Sequence, residues 1–177
     1  ISQIKSVCPD LKLEMLLQDF RGDRLLLETV LDAGPDIVAH NIECVERLTS
    51  SVRDAKAGYR QSLDILAHAK AYRPAVPTKS SLMLGLGETE GELRQSFKDL
   101  RGVGVDILTL GQYLRPSGSR HHLPVDQYIH PNDFKRYGEI AKEHGFLYVA
   151  SGPFVRSSYR AAELFLKGQL ENNNVSS

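Results

Sequence analysis

Four polar residues and one glycine of this sequence have the types and spacing expected of a site that binds a small molecule. An amide and a carboxylate, Asn41 and Glu43, follow one predicted strand. Lys79 lies inside another, which Gly85 and Glu88 follow. Glycine lets a backbone approach a ligand closely, and carboxylate and amide oxygens accept hydrogen bonds from hydroxyl or amino groups. A buried lysine is costly unless an anion lies against it. These residues predict recognition of a polar ligand.

Each of these features also has a simpler structural interpretation. Asn41 is a residue type that caps helices, and His40 before it could be hydrogen-bonded within the protein wall. The Gly85-Leu86-Gly87 segment could be an ordinary tight turn, because glycine tolerates positive φ. Taken one at a time, the segments therefore leave a structural role and a ligand-binding role open.

Two further polar clusters lie in the C-terminal third of the chain. Arg156, Ser157, Ser158 and Tyr159 follow an apolar run, and their composition alone indicates a helix start capped by hydroxyl groups. The adjacent pair at 121–122 consists of two histidines, but neighbours in sequence rarely face one ion and no third ligand has a suitable spacing. We interpret that pair as part of a substrate or partner loop.

The elements that must position these residues alternate along the chain. Five strands are predicted at 12–17, 36–39, 78–84, 106–110 and 146–150. Residues with helical spacing predict helices over 23–33 and 57–72, with two more that begin after Thr89 and at Pro131. Alternation of this kind predicts an α/β fold with a parallel sheet, either open or part of a β/α barrel. Because ligands bind at the carboxyl ends of parallel strands, all the polar clusters are expected at one edge.

Composition limits the possible partners. The 177 residues contain 22 basic and 22 acidic side chains, so no overall field favours nucleic acid or an anionic membrane surface. No apolar run approaches the roughly 20 residues that span a bilayer. We expect one domain over residues 1–171, followed by a disordered polar tail at 172–177.

Five segments resemble, in order, the signature segments of lipoyl synthases. They cover nearly the whole chain, and the last is particular to that family. They are Asp19-Phe20-Arg21-Gly22-Asp23, His40-Asn41-Ile42-Glu43, the stretch from Lys79 to Glu88, Gly111-Gln112-Tyr113-Leu114, and Ser151-Gly152-Pro153 followed by Arg156-Ser157-Ser158-Tyr159.

The resemblance implies the C-terminal half of a partial β/α (TIM-like) barrel of the radical SAM type. It implies two [4Fe-4S] clusters and S-adenosyl-L-methionine as cofactors. One cluster would cleave S-adenosylmethionine to give a 5′-deoxyadenosyl radical, and the auxiliary cluster would be the sulfur source. The implied activity is insertion of two sulfur atoms, at C6 and C8 of a protein-bound octanoyl group.

The resemblance also suggests residue roles. Ser158 is expected as the serine ligand of the auxiliary cluster, with Ser157 as the second choice, since a hydroxyl is a harder and more labile iron ligand than a thiolate. Arg156 would offset the negative charge of the cluster and orient its loop. Asn41, Glu43, Lys79, Gly85 and Glu88 are expected to contact S-adenosylmethionine.

The chain departs from the family pattern in its cysteines. A CxxxxCxxxxxC set and a CxxxCxxC set are expected upstream, whereas this chain contains only Cys8 and Cys44, which we expect to be packing residues. The first residues run straight into what looks like a helix end, which indicates a truncated piece of a longer protein, and we expect this piece alone to be inactive. Truncation would also expose a sheet edge before the 12–17 strand. The segment at 115–120 is longer than we associate with the family.

The expected partners are octanoylated lipoyl domains or the glycine cleavage H protein, and an electron donor such as ferredoxin or flavodoxin. Neither nucleic acid nor a membrane is expected. The expected compartment is the cytoplasm of a bacterium or the organelle matrix of a eukaryote. Two alternatives remain: a non-catalytic short form that docks lipoyl carrier domains, and a cluster-free aldolase or lyase with Lys79 as its Schiff-base lysine.

Overall fold

The strands of this protein form one parallel sheet. A computed structural model describes residues 1–119 and 122–158. Neighbouring strands in the sheet are also neighbours in sequence, in the order β1-β2-β3-β4-β5. This arrangement confirms the predicted α/β class and is consistent with part of a TIM-like barrel. The strands are β1 Glu14–Leu16, β2 Ile37–Ala39, β3 Thr78–Leu84, β4 Ile107–Gln112 and β5 Tyr148–Ser151.

Helices flank and connect these strands. Strands and most helices lie where the apolar spacing predicts them, but the first strand is shorter than expected and the fifth begins two residues later. Leu147 is 70% exposed, whereas Phe146 turns into the core, so strand pairing begins only at Tyr148. The helices are α1 Ser2–Val7, α2 Arg24–Asp32, α3 Thr49–Val52, α4 Tyr59–Tyr72, α5 Glu90–Gly102 and α6 Pro131–Glu143, with 3-10 turns at Phe20–Gly22 and Glu46–Leu48.

Local capping fixes where the longer helices start. Thr89 and Glu92 form a complete capping box at the start of α5, as their spacing predicts. Asp23 accepts from two backbone amides at the start of α2, and α6 begins with Pro131 in its first turn. The caps of α5 and α2 satisfy amide hydrogens that lack partners inside the helix.

The main core lies between the sheet and the α4, α5 and α6 layer. Leu82 and Leu84 of β3 pack there with Phe97 and Leu100 of α5. Because strand side chains alternate between the faces of a sheet, the same periodicity turns Lys79 to the opposite face. A smaller cluster joins α2 and α4 to the first two strands.

The strand order places β1 at one edge of the sheet. Among the described residues it pairs with β2 alone, so its other side is an open sheet edge, as expected before the 12–17 strand. None of the helices in the described ranges combines the length and the hydrophobicity needed to span a bilayer. The predicted tail at 172–177 and Tyr159 lie outside the described residues.

Candidate functional site

The loop after β2 holds Asn41 and Glu43 against β3. The Asn41 amide donates to Glu43 Oε1 over 3.1 Å. Glu43 has a φ of 65°, and its backbone pairs with that of β3 through bonds to Ser81 and Met83. A non-glycine residue in the left-handed region is uncommon and often belongs to a functional site. Burial raises the pKa of Glu43.

One oxygen in this loop has an unmet hydrogen-bonding need. Asn41 is only 8% exposed, yet among the described residues its Oδ1 atom has no hydrogen-bond partner. Leaving a buried acceptor unpaired costs about 1–3 kcal/mol, so this oxygen favours a ligand that can donate to it. Asn41 therefore does not act as the helix cap that its residue type allows.

Asn41 and Glu43 line a cavity of about 280 Å³ at the carboxyl ends of β1 and β2. The cavity shares Gln18, Asp19 and Ala57 with an adjoining cavity of about 430 Å³. Proteins with α/β folds bind ligands at the carboxyl edge of the parallel sheet, which is where this cavity lies. The remaining lining residues are Leu16, Leu17, Gln18, Asp19, His40, Arg53 and Ala57.

His40 is hydrogen-bonded within the wall of this cavity. Its Nδ1 lies 2.9 Å from the carbonyl oxygen of Leu17, and its Nε2 lies 2.9 Å from Ser62 Oγ. Burial lowers the pKa of His40, which favours the neutral ring. The structural interpretation of this histidine is confirmed.

Arg53 is a lining residue that the sequence patterns do not single out. It is half-buried, and its Nη1 donates to Ser62 Oγ over 2.9 Å. Among the described residues it forms no ion pair. The sequence signal that could have found it is its position between β2 and α4, on the side where the polar loops gather.

Lys79 forms an ion pair with a carboxylate of the same chain. Lys79 is 1% exposed, and its Nζ donates to both carboxylate oxygens of Glu14 at 2.8 Å. The sequence predicts that this lysine needs an anion, but it does not identify Glu14. Contact of Lys79 with a cofactor stays a prediction.

The turn after β3 is closed by its own glutamate. The two Glu88 oxygens accept from the Gly85 amide at 2.7 Å and from the Leu86 amide at 2.9 Å. Gly85 has a φ of 98°, and a Cβ there would overlap Gln127 O and the Gln112 amide. Internal packing thus accounts for Gly85 and Glu88, and their contact with a cofactor also stays a prediction.

The segment after β5 folds back over β4. A Cβ on Gly111 would overlap the carbonyl oxygen of Val155, so glycine is needed there for this approach. Arg156 Nη1 donates to that same carbonyl oxygen at 2.8 Å. Ser157 is half-buried and Ser158 is exposed, which leaves the Ser158 hydroxyl accessible to a ligand.

The described residues do not form a metal site on their own. They contain no group of three or more histidine, cysteine, aspartate or glutamate residues that could hold an ion. Cys44 is 1% exposed in the core, as expected, and burial raises the pKa of its thiol to about 11. For Cys8 the packing prediction is wrong: this residue is exposed where α1 ends, beyond the reach of the core.

Comparison with known proteins supplies the family. No family model matches the chain. It is 52% identical over 175 residues to a lipoyl synthase of Myxococcus xanthus, covering 99% of this chain and 58% of that protein. It is 56% identical over 167 residues to a lipoyl synthase of Thermus thermophilus, covering 94% of this chain and 51% of that protein.

A plant relative shows a similar level of identity. The chain is 50% identical over 177 residues to the chloroplastic lipoyl synthase 1 of Zea mays, covering 100% of this chain and 48% of that protein. The chain thus spans about half the length of the curated relatives it matches. Along that length, the ordered segments and the sequence identity agree that this chain belongs to the lipoyl synthase family.

Proposed function

We propose that the whole protein to which this chain belongs inserts two sulfur atoms, at C6 and C8 of a protein-bound octanoyl group, to form the lipoyl cofactor. The observation that carries the proposal is the identity of 52%, 56% and 50% to three lipoyl synthases along nearly the whole chain. The unpaired, buried Oδ1 of Asn41 supports a bound ligand in the cavity at the carboxyl edge of the sheet. A buried acceptor without a hydrogen-bond partner favours a bound ligand that donates to it.

S-adenosyl-L-methionine fits the donors and acceptors of this cavity. Its amino and ribose hydroxyl groups can donate to Asn41 Oδ1, and Glu43 can accept through the carboxylate oxygen not bonded to Asn41. Gly85 and Glu88 lie in the turn that follows the carboxyl end of β3, whereas Lys79 is the second residue of that strand, and all three remain proposed contacts. The cofactor, when bound and reduced, supplies the radical that removes hydrogen from the octanoyl chain.

The iron–sulfur clusters do not fit this chain alone. Two cysteines cannot supply the thiolates that two [4Fe-4S] clusters require, and the described residues offer no ion-holding group. We therefore assign to this chain one ligand only, the exposed hydroxyl of Ser158, with Ser157 second. Arg156 would place a positive charge near the same loop. For this reason we propose that the 177-residue chain alone is inactive.

The partners follow from the proposed reaction. Octanoylated lipoyl domains or the glycine cleavage H protein would present the substrate, and ferredoxin or flavodoxin would supply electrons. We propose the cytoplasm as the compartment in a bacterium and an organelle matrix in a eukaryote. Relatives named as chloroplastic and mitochondrial support the second case.

The Schiff-base alternative loses support from the Lys79 environment. A lysine amine must be uncharged to attack a carbonyl group, whereas Lys79 lies in a buried ion pair with Glu14. Borohydride in the presence of carbonyl ligands should therefore leave Lys79 unmodified.

Iron and sulfide content tests the proposed function. The full-length protein and the 177-residue chain are reconstituted anaerobically, and their visible spectra are recorded. We expect two [4Fe-4S] clusters in the full-length protein and none in the chain. A full-length protein without clusters would contradict the proposal and favour a docking role.

A further inference from the structure

Two non-glycine residues after β1 hold a backbone conformation that most side chains avoid. Phe20 has a φ of 47° and Arg21 a φ of 54°, and Gly22 follows with a φ of 78°. Left-handed conformations cost folding free energy in residues that have a Cβ, and they cluster at functional sites. This cost favours a functional role for the turn.

The turn is anchored on both sides. Asp19 Oδ1 accepts from the Arg21 amide at 3.0 Å, and Asp19 Oδ2 accepts from Gln61 of α4 at 2.7 Å. Phe20 packs against the smaller core cluster, whereas Arg21 is exposed. Arg21 therefore lies on a backbone that is fixed before any partner arrives, which lowers the entropy cost of binding.

Four charged residues line the adjoining cavity of about 430 Å³, and they differ in how they are bonded. The Asp19 carboxylate accepts the two bonds just described, and Asp54 Oδ1 accepts from the Lys56 amide at 2.9 Å. Arg21 and Lys56 are exposed, and the side chain of neither bonds or pairs with any residue of 1–119 or 122–158. The charges left without a partner at this rim are thus positive.

An exposed apolar pair lies beside these cations. Leu25 is 74% exposed and Leu26 is 52% exposed, both in the first turn of α2. Leu26 lines the same cavity as Arg21 and Lys56. Protein interfaces combine apolar contacts with a polar rim, so these residues have the composition of a docking site. Together, Arg21, Leu25, Leu26 and Lys56 are named the rim surface.

The position of the rim surface selects the kind of partner. Its cavity shares Gln18, Asp19 and Ala57 with the cavity at the carboxyl ends of β1 and β2. An octanoyl group attached to a protein reaches those strand ends only when its carrier rests at the rim. An electron-donor protein needs only to approach a cluster, which does not require contact with this cavity. The carrier is therefore the partner that this position favours.

We propose that the rim surface docks an acidic face of the octanoylated carrier protein, with Arg21 and Lys56 pairing with its carboxylates and with Leu25 and Leu26 contacting apolar side chains. This inference rests on the proposed function. It gives the strained turn a role in recognition of the carrier and none in the chemistry.

Binding of an octanoylated lipoyl domain to the reconstituted full-length protein, measured by calorimetry without a reductant, tests the proposal. The double variant Arg21→Glu/Lys56→Glu should bind about tenfold more weakly at low salt, because each reversal turns an attraction into a repulsion. At an ionic strength of about 0.5 M the difference should shrink to about twofold or less, since salt screens exposed charges. Leu25→Ala should instead weaken binding about equally at both salt concentrations, because salt does not screen an apolar contact.

A short octanoyl-lysine peptide without acidic residues serves as the substrate that lacks a carrier surface. With saturating peptide and dithionite as reductant, the double variant should insert sulfur as fast as the unsubstituted protein. Lys98→Glu is the matched control, since Lys98 is exposed on α5 and lines neither cavity. If the double variant does not fold, Arg21→Gln and Lys56→Gln carry the test, each with a loss of about threefold in carrier affinity.

The outcomes separate this inference from the proposed function. Unchanged carrier affinity in the double variant, or a loss that Lys98→Glu reproduces, would overturn the docking surface and leave the function intact. A slower reaction with the peptide would also overturn it, because the residues would then act on the octanoyl chain itself. Weaker binding of flavodoxin with normal carrier binding would overturn it in favour of the electron donor. An unsubstituted protein that neither binds the carrier nor converts the peptide would overturn both the inference and the function.

Discussion

Lys79 on β3 and Glu14 on β1 form a buried ion pair that crosses the intervening strand β2. The Lys79 ammonium lies 2.8 Å from each carboxylate oxygen of Glu14. Lys79 pairs in register with Ala39 and Glu14 with Ile37, so the two side chains reach over the middle strand from either side. The pair therefore ties the edge strand β1 to the centre of the sheet.

Removing the anion of this pair should destabilise the fold. Glu14→Gln leaves the ammonium of Lys79, which is 1% exposed, without a counter-charge. Breaking a buried pair in this way costs about 3–5 kcal/mol of unfolding free energy. Urea denaturation measures the loss. Glu46→Gln is the control, because Glu46 pairs with Arg60 at the surface, and a loss no larger than in that variant would contradict the prediction.

Gly85 should not tolerate a side chain. In Gly85→Ala the added Cβ meets Gln127 O and the Gln112 amide, in a residue with a φ of 98°. Strain and overpacking together should lower the unfolding free energy by about 2–4 kcal/mol. Gly102→Ala is the matched variant, since nothing lies within 4 Å of its Cβ. Similar melting temperatures for the two variants would show that the turn can rearrange freely.

The capping box of α5 should make stability depend on pH in the acid range. A hydrogen bond from Arg47, and next the bond from the Thr89 backbone, hold the pKa of Glu92 near 2 rather than 4.5. Because the folded pKa is depressed, the stabilisation is complete above pH 4.5 and is lost as the pH falls towards 2. The difference in stability between the protein and Glu92→Gln, measured by denaturation, should shrink over that window. A constant difference would contradict the assignment.

Ser158 should be needed for sulfur insertion but not for cleavage of the cofactor. In the full-length enzyme, Ser158→Ala should still cleave S-adenosylmethionine, because only the auxiliary cluster loses a ligand. Formation of lipoyl product should fall at least 100-fold, a loss of about 2.7 kcal/mol or more of transition-state stabilisation. Mass spectrometry of the carrier and assay of 5′-deoxyadenosine separate the two steps. Ser157→Ala tests the second choice, since a loss that follows this variant instead would make Ser157 the ligand, and normal lipoyl product from Ser158→Ala would remove Ser158 from the cluster.

Much of the fold could be predicted from the sequence because its signals are local. The interval from Thr89 to Glu92 specifies a cap within one helical turn, and Pro131 marks a helix start by its fixed φ. Alternating apolar runs likewise specify strands and their parallel pairing. The prediction that Cys8 packs in the core was wrong, because burial cannot be judged from residue type alone. Cys8 is exposed where α1 ends.

The candidate site could be predicted only in part, because its partners are distant in sequence. Asn41 and Glu43 were expected at the sheet edge, and they do line the cavity. Glu14 lies 65 positions from Lys79, so only the folded sheet identifies it. The contacts of Arg53 and Ser62 likewise depend on how α4 packs against the strand ends. Glu88, which was expected to contact a ligand, bonds to amides of its own turn, and its contact with a ligand stays a prediction.

The most direct test of the central claim is the product formed on an octanoylated lipoyl domain. The full-length protein, reconstituted with iron and sulfide, is incubated with S-adenosylmethionine and a reductant, and the carrier is analysed by mass spectrometry. We predict a carrier that gains two sulfur atoms, with 5′-deoxyadenosine released, and no change when the 177-residue chain replaces the full-length protein. An unchanged octanoyl group with the reconstituted full-length protein would contradict the account.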